Sequence, residues 1–197
     1  MTSETSVVTP ERFAQGFSYP DYIAQININK NWFEKLYDSF QVESDDVDFF
    51  RKAVSLPNGP AKMMVIGEDW CPDVYRGMPV MARIAEAAGM EMRVFPRDAN
   101  MDIMNEFLKE GKWASIPAVV FYSADQGYLC HWIERPALAE QEMESISAQV
   151  KSEMPNASEQ EIRAAARPRN QERFPAWQQE SVKEIRALLA KSLNIQG

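Results

Sequence analysis

The strongest constraint on the fold of this chain is an alternation of short apolar runs with helical stretches between Lys62 and Ile133. Strands separated by a helix pair in parallel, because the helix carries the chain back across the sheet, whereas strands joined by a tight turn pair antiparallel. The pattern therefore predicts an α/β fold with a mixed sheet flanked by helices. In chain order the predicted elements are a strand at 62–66, a helix at 73–88 closed by Gly89, a strand at 91–95, a short helix at 101–109, and strands at 118–122 and 128–133 joined by a turn.

An N-terminal helical segment precedes this alternation. Residues 1–20 show little periodicity and are expected to wrap the surface, whereas the apolar residues from Tyr22 to Phe40 lie on one helical stripe. Ser44, followed by acidic residues, is predicted to cap a further helix. We expect residues 1–60 to pack on a core at 61–150.

A C-terminal helical extension is predicted over 151–197, within one compact domain overall. Ser158 and Glu161 have the spacing of a capping box, which begins a helix. The segment Arg167–Asn170 contains a proline and is expected to interrupt that helix, after which Pro175 opens a last one.

Composition and charge exclude several classes of function. The net charge of −8 argues against general binding of nucleic acids or acidic membranes, since both require basic surface. The acidic start, Met1–Thr5, lacks the features of a secretory signal, and no apolar run reaches membrane-spanning length. Two cysteines provide neither a disulfide framework nor a zinc cluster. We therefore expect a cytoplasmic protein without metal or cofactor.

The motif that carries chemistry, Trp70-Cys71-Pro72-Asp73-Val74, stands where the first predicted strand meets the first helix of the alternation. Pro79 follows Cys71 by 8 positions, and Ile116-Pro117 opens a strand, with Pro117 46 positions past Cys71. Together with the closing hairpin and helix, these landmarks resemble the thioredoxin family over roughly Ala61 to Val150. The resemblance implies a thioredoxin-like fold in which Pro79 kinks the active-site helix and a cis Ile116–Pro117 bond faces the cysteine turn.

Two positions depart from the family pattern. Val74 occupies the place of the resolving cysteine, which in thioredoxins releases the mixed disulfide formed by the first cysteine. Val65, 6 positions before Cys71, occupies the place of the buried aspartate that accepts a proton in the same step. Both replacements remove groups that act in the release of the mixed disulfide, which suggests that this chain does not carry out that step.

Cys71 is the candidate catalytic residue, with two interpretations left open. The N–H groups at a helix N-terminus stabilise a thiolate, which attacks disulfides, whereas the nearby charge of Asp73 opposes it. Alternatively, Cys71 is inert in a fold reused for binding. The candidate substrate-binding residues are Trp70, Pro72, Asp73, Ile116 and Pro117, because a cis proline exposes backbone groups with which an extended peptide can pair.

Other reactive side chains are predicted to be structural. If Tyr122 lies opposite Tyr128, Cys130 lies opposite Val120, roughly 10 Å from the active end of the sheet and too far for a disulfide with Cys71. His131, the only histidine, is then mid-sheet. Glu68 and Asp69 are expected to be solvated loop carboxylates, and the tryptophans other than Trp70 are expected to lie in the core, where most large aromatic side chains pack.

The sequence thus predicts a single-cysteine thiol–disulfide exchange protein acting through mixed disulfides of Cys71. Its partners would be proteins or low-molecular-weight thiols, and an external thiol would release the adduct. The alternative is a non-catalytic thioredoxin-fold interaction module that uses the groove around Trp70 and Pro117. The oligomeric state is not predicted.

Overall fold

A computed structural model of the protein describes residues 6–196. The prediction that the chain lacks a secretory signal rests on residues 1–5, which lie outside this range. Within it, a sheet of four strands has the order β2-β1-β3-β4. The strands are β1 (Lys62–Gly67), β2 (Glu91–Pro96), β3 (Ala118–Tyr122) and β4 (Tyr128–Ile133).

The pairing of the strands confirms the predicted mixed sheet. β1 pairs with β2 in parallel, and β3 pairs antiparallel with both β1 and β4. The two central strands, β1 and β3, are apolar almost throughout because both of their faces are covered. A further antiparallel bridge joins Phe17 to Val94 at the outer edge of β2.

Helices cover the sheet and form the two extensions. α5 is the crossover between the parallel strands, and it ends at Gly89, which has the left-handed conformation (φ 78°) predicted for a C-cap. α8 packs against α4, α5, α7 and β4, so the C-terminal extension is joined to the core. The helices are α1 (Pro10–Ala14), α2 (Tyr19–Gln25), α3 (Lys30–Ser39), α4 (Ser44–Val54), α5 (Pro72–Ala88), α6 (Met101–Met104), α7 (Ala137–Glu153) and α8 (Glu159–Leu193).

The predicted interruption of the last helix is wrong, since α8 is continuous through both of its prolines. Pro168 cannot donate the usual helical hydrogen bond, which ordinarily destabilises a helix interior. On the C-terminal side of this proline, Arg169 pairs with Glu153 of α7 and Arg173 pairs with Glu142. Trp177 is fully buried one turn further on. Buried residues lie on both sides of the proline, Ile162 and Ala166 before it and Trp177 after it, and this packing offsets the missing hydrogen bond.

Three predicted element boundaries are also corrected. The stripe from Tyr22 to Phe40 is divided into α2 and α3, because Asn29 adopts a left-handed φ of 56° between them. The N-cap of α4 is Glu43 rather than Ser44. The short helix predicted at 101–109 ends at Met104, and the following residues form turns with an antiparallel bridge between Lys109 and Trp113.

The register of the hairpin differs from the prediction by one residue. Tyr122 does lie opposite Tyr128, but an irregularity next to it places Cys130 opposite Phe121 and His131 opposite Val120. A β-bulge adds one unpaired residue to one strand, which a strict alternation of side chains does not reveal. Cys130 is therefore one residue further from the cysteine turn than predicted.

Candidate functional site

The cysteine turn connects β1 to α5. Cys71 is the N-cap of α5 and Pro72 is its first residue, where a missing N–H has no consequence for the helix. The backbone N–H of Cys71 donates to the carbonyl of Glu68 (3.2 Å), and the carbonyl of Cys71 accepts from Val74 (3.1 Å). The turn therefore places the sulfur at the N-terminus of a long, buried helix.

The Cys71 thiol lies against the segment that precedes β3. Its Sγ is 3.8 Å from the carbonyl oxygen of Ile116, to which the thiol donates. The Ile116–Pro117 peptide bond is cis. Cys71 itself is only 8% exposed. Pro117 is buried close to Gly77 of α5, where a Cβ atom would stand 3.4 Å from the proline ring. The sequence-predicted residues Cys71, Ile116 and Pro117 are thus brought together.

Burial raises the pKa of the Cys71 thiol above its ordinary value of 9.0. The backbone N–H groups of Val74 and Asp73 and the charge of Arg135 act in the opposite direction, as expected at a helix N-terminus, while the Asp73 carboxylate adds to the rise. Desolvation is the largest of these effects. The thiol therefore remains protonated at neutral pH.

Asp73 anchors the turn to the rest of the protein. Its Oδ1 is 2.5 Å from the guanidinium of Arg76, and its Oδ2 is 2.7 Å from that of Arg135. Arg76 is almost fully buried, and its guanidinium also lies over the ring of Trp177 at 5.2 Å. Arg135 in turn pairs with Glu134 in the segment after β4. The network thereby joins α5, α8 and the end of the sheet.

Two exposed tryptophans border the thiol-bearing segment. Trp70 is 45% exposed, and the guanidinium of Arg97 lies 5.0 Å from its ring centroid. Arg97 also donates to the carbonyl of Ala114 (3.4 Å), next to Trp113, which is 63% exposed. The prediction that Trp113 lies in the core is wrong. The charged and glycine-containing stretch around it, Lys109–Lys112, was the available sequence signal for a surface turn.

A comparison with protein families identifies the family to which the chain belongs. A family model described as thioredoxin matches residues 16–151, which is more than half of the chain. The chain belongs to the thioredoxin family. The match includes the N-terminal helices from α2 onward and the cysteine turn, and it ends before α8 begins.

Two solved structures share this thioredoxin-like fold across the chain, including the C-terminal extension. One is a protein of unknown function from Pseudomonas aeruginosa, with 12% identity, a TM-score of 0.66, and coverage of 94% of this chain and 99% of that one. The other is an HIV epitope scaffold, with 13% identity, a TM-score of 0.64, and coverage of 93% and 99%. At these identities the similarity shows the fold alone. No curated protein matches the sequence.

The two positions predicted from the resemblance to depart from the thioredoxin pattern are both fully buried. Val74 packs against β1 so closely that a Cβ atom on Gly67 would stand 2.8 Å from its Cγ1. Val65 lies in the middle of β1, paired with Val94 and Val119. The side chains at both positions are therefore tightly packed in the core.

The remaining candidates lie away from the thiol or are otherwise engaged. Cys130 is opposite Phe121, four residues along β3 from Pro117, or about 13 Å at 3.3 Å per residue. Burial raises the pKa of its thiol to about 12. The Nδ1 of His131 is 2.7 Å from the hydroxyl of Tyr128. Glu68 and Asp69 accept backbone hydrogen bonds from Asp98 and Ile28, so they position neighbouring loops rather than Cys71.

Two features are absent from residues 6–196. No helix in this range combines the length and apolar character needed to cross a membrane. The same residues contain no group of three or more histidine, cysteine or acidic side chains arranged to hold a metal ion.

Proposed function

We propose that this thioredoxin-family protein binds extended segments of other proteins at the surface around Trp70 and Pro117, and that Cys71 is a protonated structural thiol of that surface. The proposal rests chiefly on one observation. The backbone N–H of Ile116 donates no hydrogen bond to any described residue, and its carbonyl accepts only the Cys71 thiol. A peptide in extended conformation satisfies such groups by pairing with them like an added strand.

The surroundings of Ile116 supply the apolar contacts that such a peptide needs. Trp70 and Trp113 offer exposed aromatic surface, and Arg97, which is paired with Asp98, lies beside the Trp70 ring. Tryptophan and arginine are the side chains most often found to dominate the energetics of protein interfaces. Backbone pairing at Ile116 would supply affinity without sequence preference, and the tryptophans would select apolar side chains.

Three features argue against catalysis of dithiol exchange. Val74 replaces the resolving sulfur, Val65 replaces the proton acceptor, and burial of Cys71 raises its pKa. A mixed disulfide formed at Cys71 would have no internal group to release it.

The binding proposal is tested with a displayed library of random linear peptides. We expect the wild type to enrich peptides that carry apolar side chains, and Trp70→Ala to lose this enrichment. Cys71→Ser is expected to retain it, because serine preserves the donor to Ile116 and nearly preserves the size. Tyr128→Ala is the matched control, since it removes an exposed aromatic ring at the opposite end of the hairpin. Equal enrichment by Trp70→Ala and Tyr128→Ala would contradict the proposal.

Single-cysteine thiol exchange is the second candidate function. The observation in its favour is that the N–H groups of Asp73 and Val74 and the charge of Arg135 all act to stabilise a Cys71 thiolate. In this reaction the Cys71 thiolate attacks one sulfur of a partner's disulfide and expels the other as a thiolate. An external thiolate then attacks the mixed disulfide and releases Cys71.

Capture under non-reducing conditions separates the two functions. Exchange requires adducts that form with the wild type under oxidative stress, disappear on reduction, and are absent with Cys71→Ser. A binding module retains the same peptide partners in both proteins and forms no adduct. The Cys130→Ser background keeps the second thiol from contributing to either result.

A further inference from the structure

A cavity of about 200 Å³ lies beside the N-terminal turn of α5, between that turn, α7 and α8. Tyr75 of α5 and Phe174 of α8 form aromatic walls, and Arg163, Arg167 and Asn170 line the side contributed by α8. Since the thioredoxin match ends at residue 151, the groups from α8 are an addition to the family fold. Neither Trp70 nor Trp113 lines the cavity, so it is separate from the peptide surface proposed above.

Three arginines line the cavity. Arg76 is paired with Asp73, which also lines it, whereas Arg163 and Arg167 have no acidic partner among residues 6–196. Arg167 makes neither a hydrogen bond nor an ion pair with any described residue, and Arg163 uses only its Nε, on the carbonyl of Glu159 at 3.3 Å. By contrast, Arg169 and Arg173 of the same helix are paired with Glu153 and Glu142. In a chain with a net charge of −8, two adjacent guanidinium groups without counter-charges are available to an anion.

Asn170 contributes an unused acceptor to the same region. Its Oδ1 is buried and accepts no hydrogen bond from the described residues. A buried carbonyl oxygen left without a donor destabilises the protein, so a ligand that carries a donor would satisfy it. Near these polar groups, Tyr75 and Phe174 are buried aromatic rings that lie 6.3 Å apart. The cavity therefore combines cations, an acceptor and apolar walls.

We propose that this cavity binds a small α-amino or α-hydroxy acid with an apolar side chain. Its carboxylate would pair with Arg167 and Arg163, its amino or hydroxyl group would donate to Asn170, and its side chain would lie against Tyr75 and Phe174. The volume of the cavity, about 200 Å³, suits a small ligand of this kind, because it is below the roughly 300 Å³ at which pockets for drug-sized ligands begin.

Calorimetric titration of the full chain with L-leucine and with its α-hydroxy analogue tests the proposal. We expect saturable binding of at least one of them, and at least about 10-fold weaker binding of leucinamide, because it lacks the carboxylate. Arg167→Gln is expected to weaken binding by about 10-fold or more. Since Arg167 contacts no described acid, this variant should fold like the wild type, which its melting temperature checks.

Arg169→Gln is the matched control, because it removes an arginine two positions away that pairs with Glu153 instead. Its affinity should equal that of the wild type. Three results would overturn the proposal: no saturable binding of either acid, equal losses in the two arginine variants, or inorganic phosphate binding as tightly as the acids. The last result would indicate a simple anion site. None of these outcomes bears on the peptide library, so the two proposals fail independently.

Discussion

Replacement of Asp73 by asparagine should destabilise the protein strongly, although the two side chains have nearly the same shape. Asp73 is the only described acidic partner of the Arg76 guanidinium, and their side chains are 10% and 3% exposed respectively. Asp73→Asn removes the negative charge and leaves the Arg76 charge buried without compensation. Arg135 is affected less, because it keeps its ion pair with Glu134.

The expected magnitude follows from burial. Removal of one partner of a buried ion pair typically costs about 3–5 kcal/mol, whereas an exposed pair contributes about 0–1 kcal/mol. The contact of Arg76 with the ring of Trp177 at 5.2 Å persists in the variant and offsets part of the loss. We therefore expect the free energy of unfolding to fall by about 3 kcal/mol.

Urea unfolding monitored by tryptophan fluorescence measures this change. With a slope of about 2 kcal/mol per molar urea, the midpoint should shift by roughly 1.5 M. Asp102→Asn is the control, because Asp102 is 55% exposed and lies 3.5 Å from Arg12, so its midpoint should barely move. If both variants shift by the same small amount, the buried network does not stabilise the fold as argued.

Three further predictions concern the cysteine turn and the helix that follows it. In a Cys130→Ser background, Val74→Cys should form a disulfide with Cys71 on oxidation, because an N-cap and the third residue of a helix have Cα atoms about 5 Å apart. Loss of both free thiols detects the bond, and persistence of both thiols would show that the turn has another geometry. Alkylation of Cys71 by iodoacetamide in the same background should be slow at neutral pH and reach half its maximal rate above pH 9.0, since burial raises the pKa of this thiol. The stability that comes from the raised pKa is present below the pKa of the unfolded chain and is lost as pH increases through the pKa of the folded protein. An alkylation midpoint at or below that of the urea-denatured chain would refute the assignment. Gly89→Ala should lower the free energy of unfolding by about 1 kcal/mol, because alanine is strained at φ 78° even though no atom lies within 4 Å of its Cβ position, and an unchanged melting curve would count against this.

Local patterns in the sequence were sufficient for much of the fold. The strands of the hairpin, the C-cap at Gly89 and the capping box at Ser158 all follow from residues within a few positions of one another. The association of Cys71 with the Ile116–Pro117 segment followed from the thioredoxin resemblance rather than from periodicity. Where the predictions were wrong, as at Pro168, a distant contact outweighed a local preference.

The sequence by itself determined that Cys71 stands at a helix N-terminus without a second sulfur, since this depends only on residue identity and spacing. Only the tertiary structure decided how that thiol behaves. Its burial against Ile116 outweighs the stabilisation that the helix N-terminus offers to a thiolate. The pairing of Asp73 with Arg135 was equally hidden, because it depends on how α5 packs beside the end of the sheet. Spacing along the chain specifies which groups begin a helix, but desolvation and charge pairing depend on what the rest of the fold places around them.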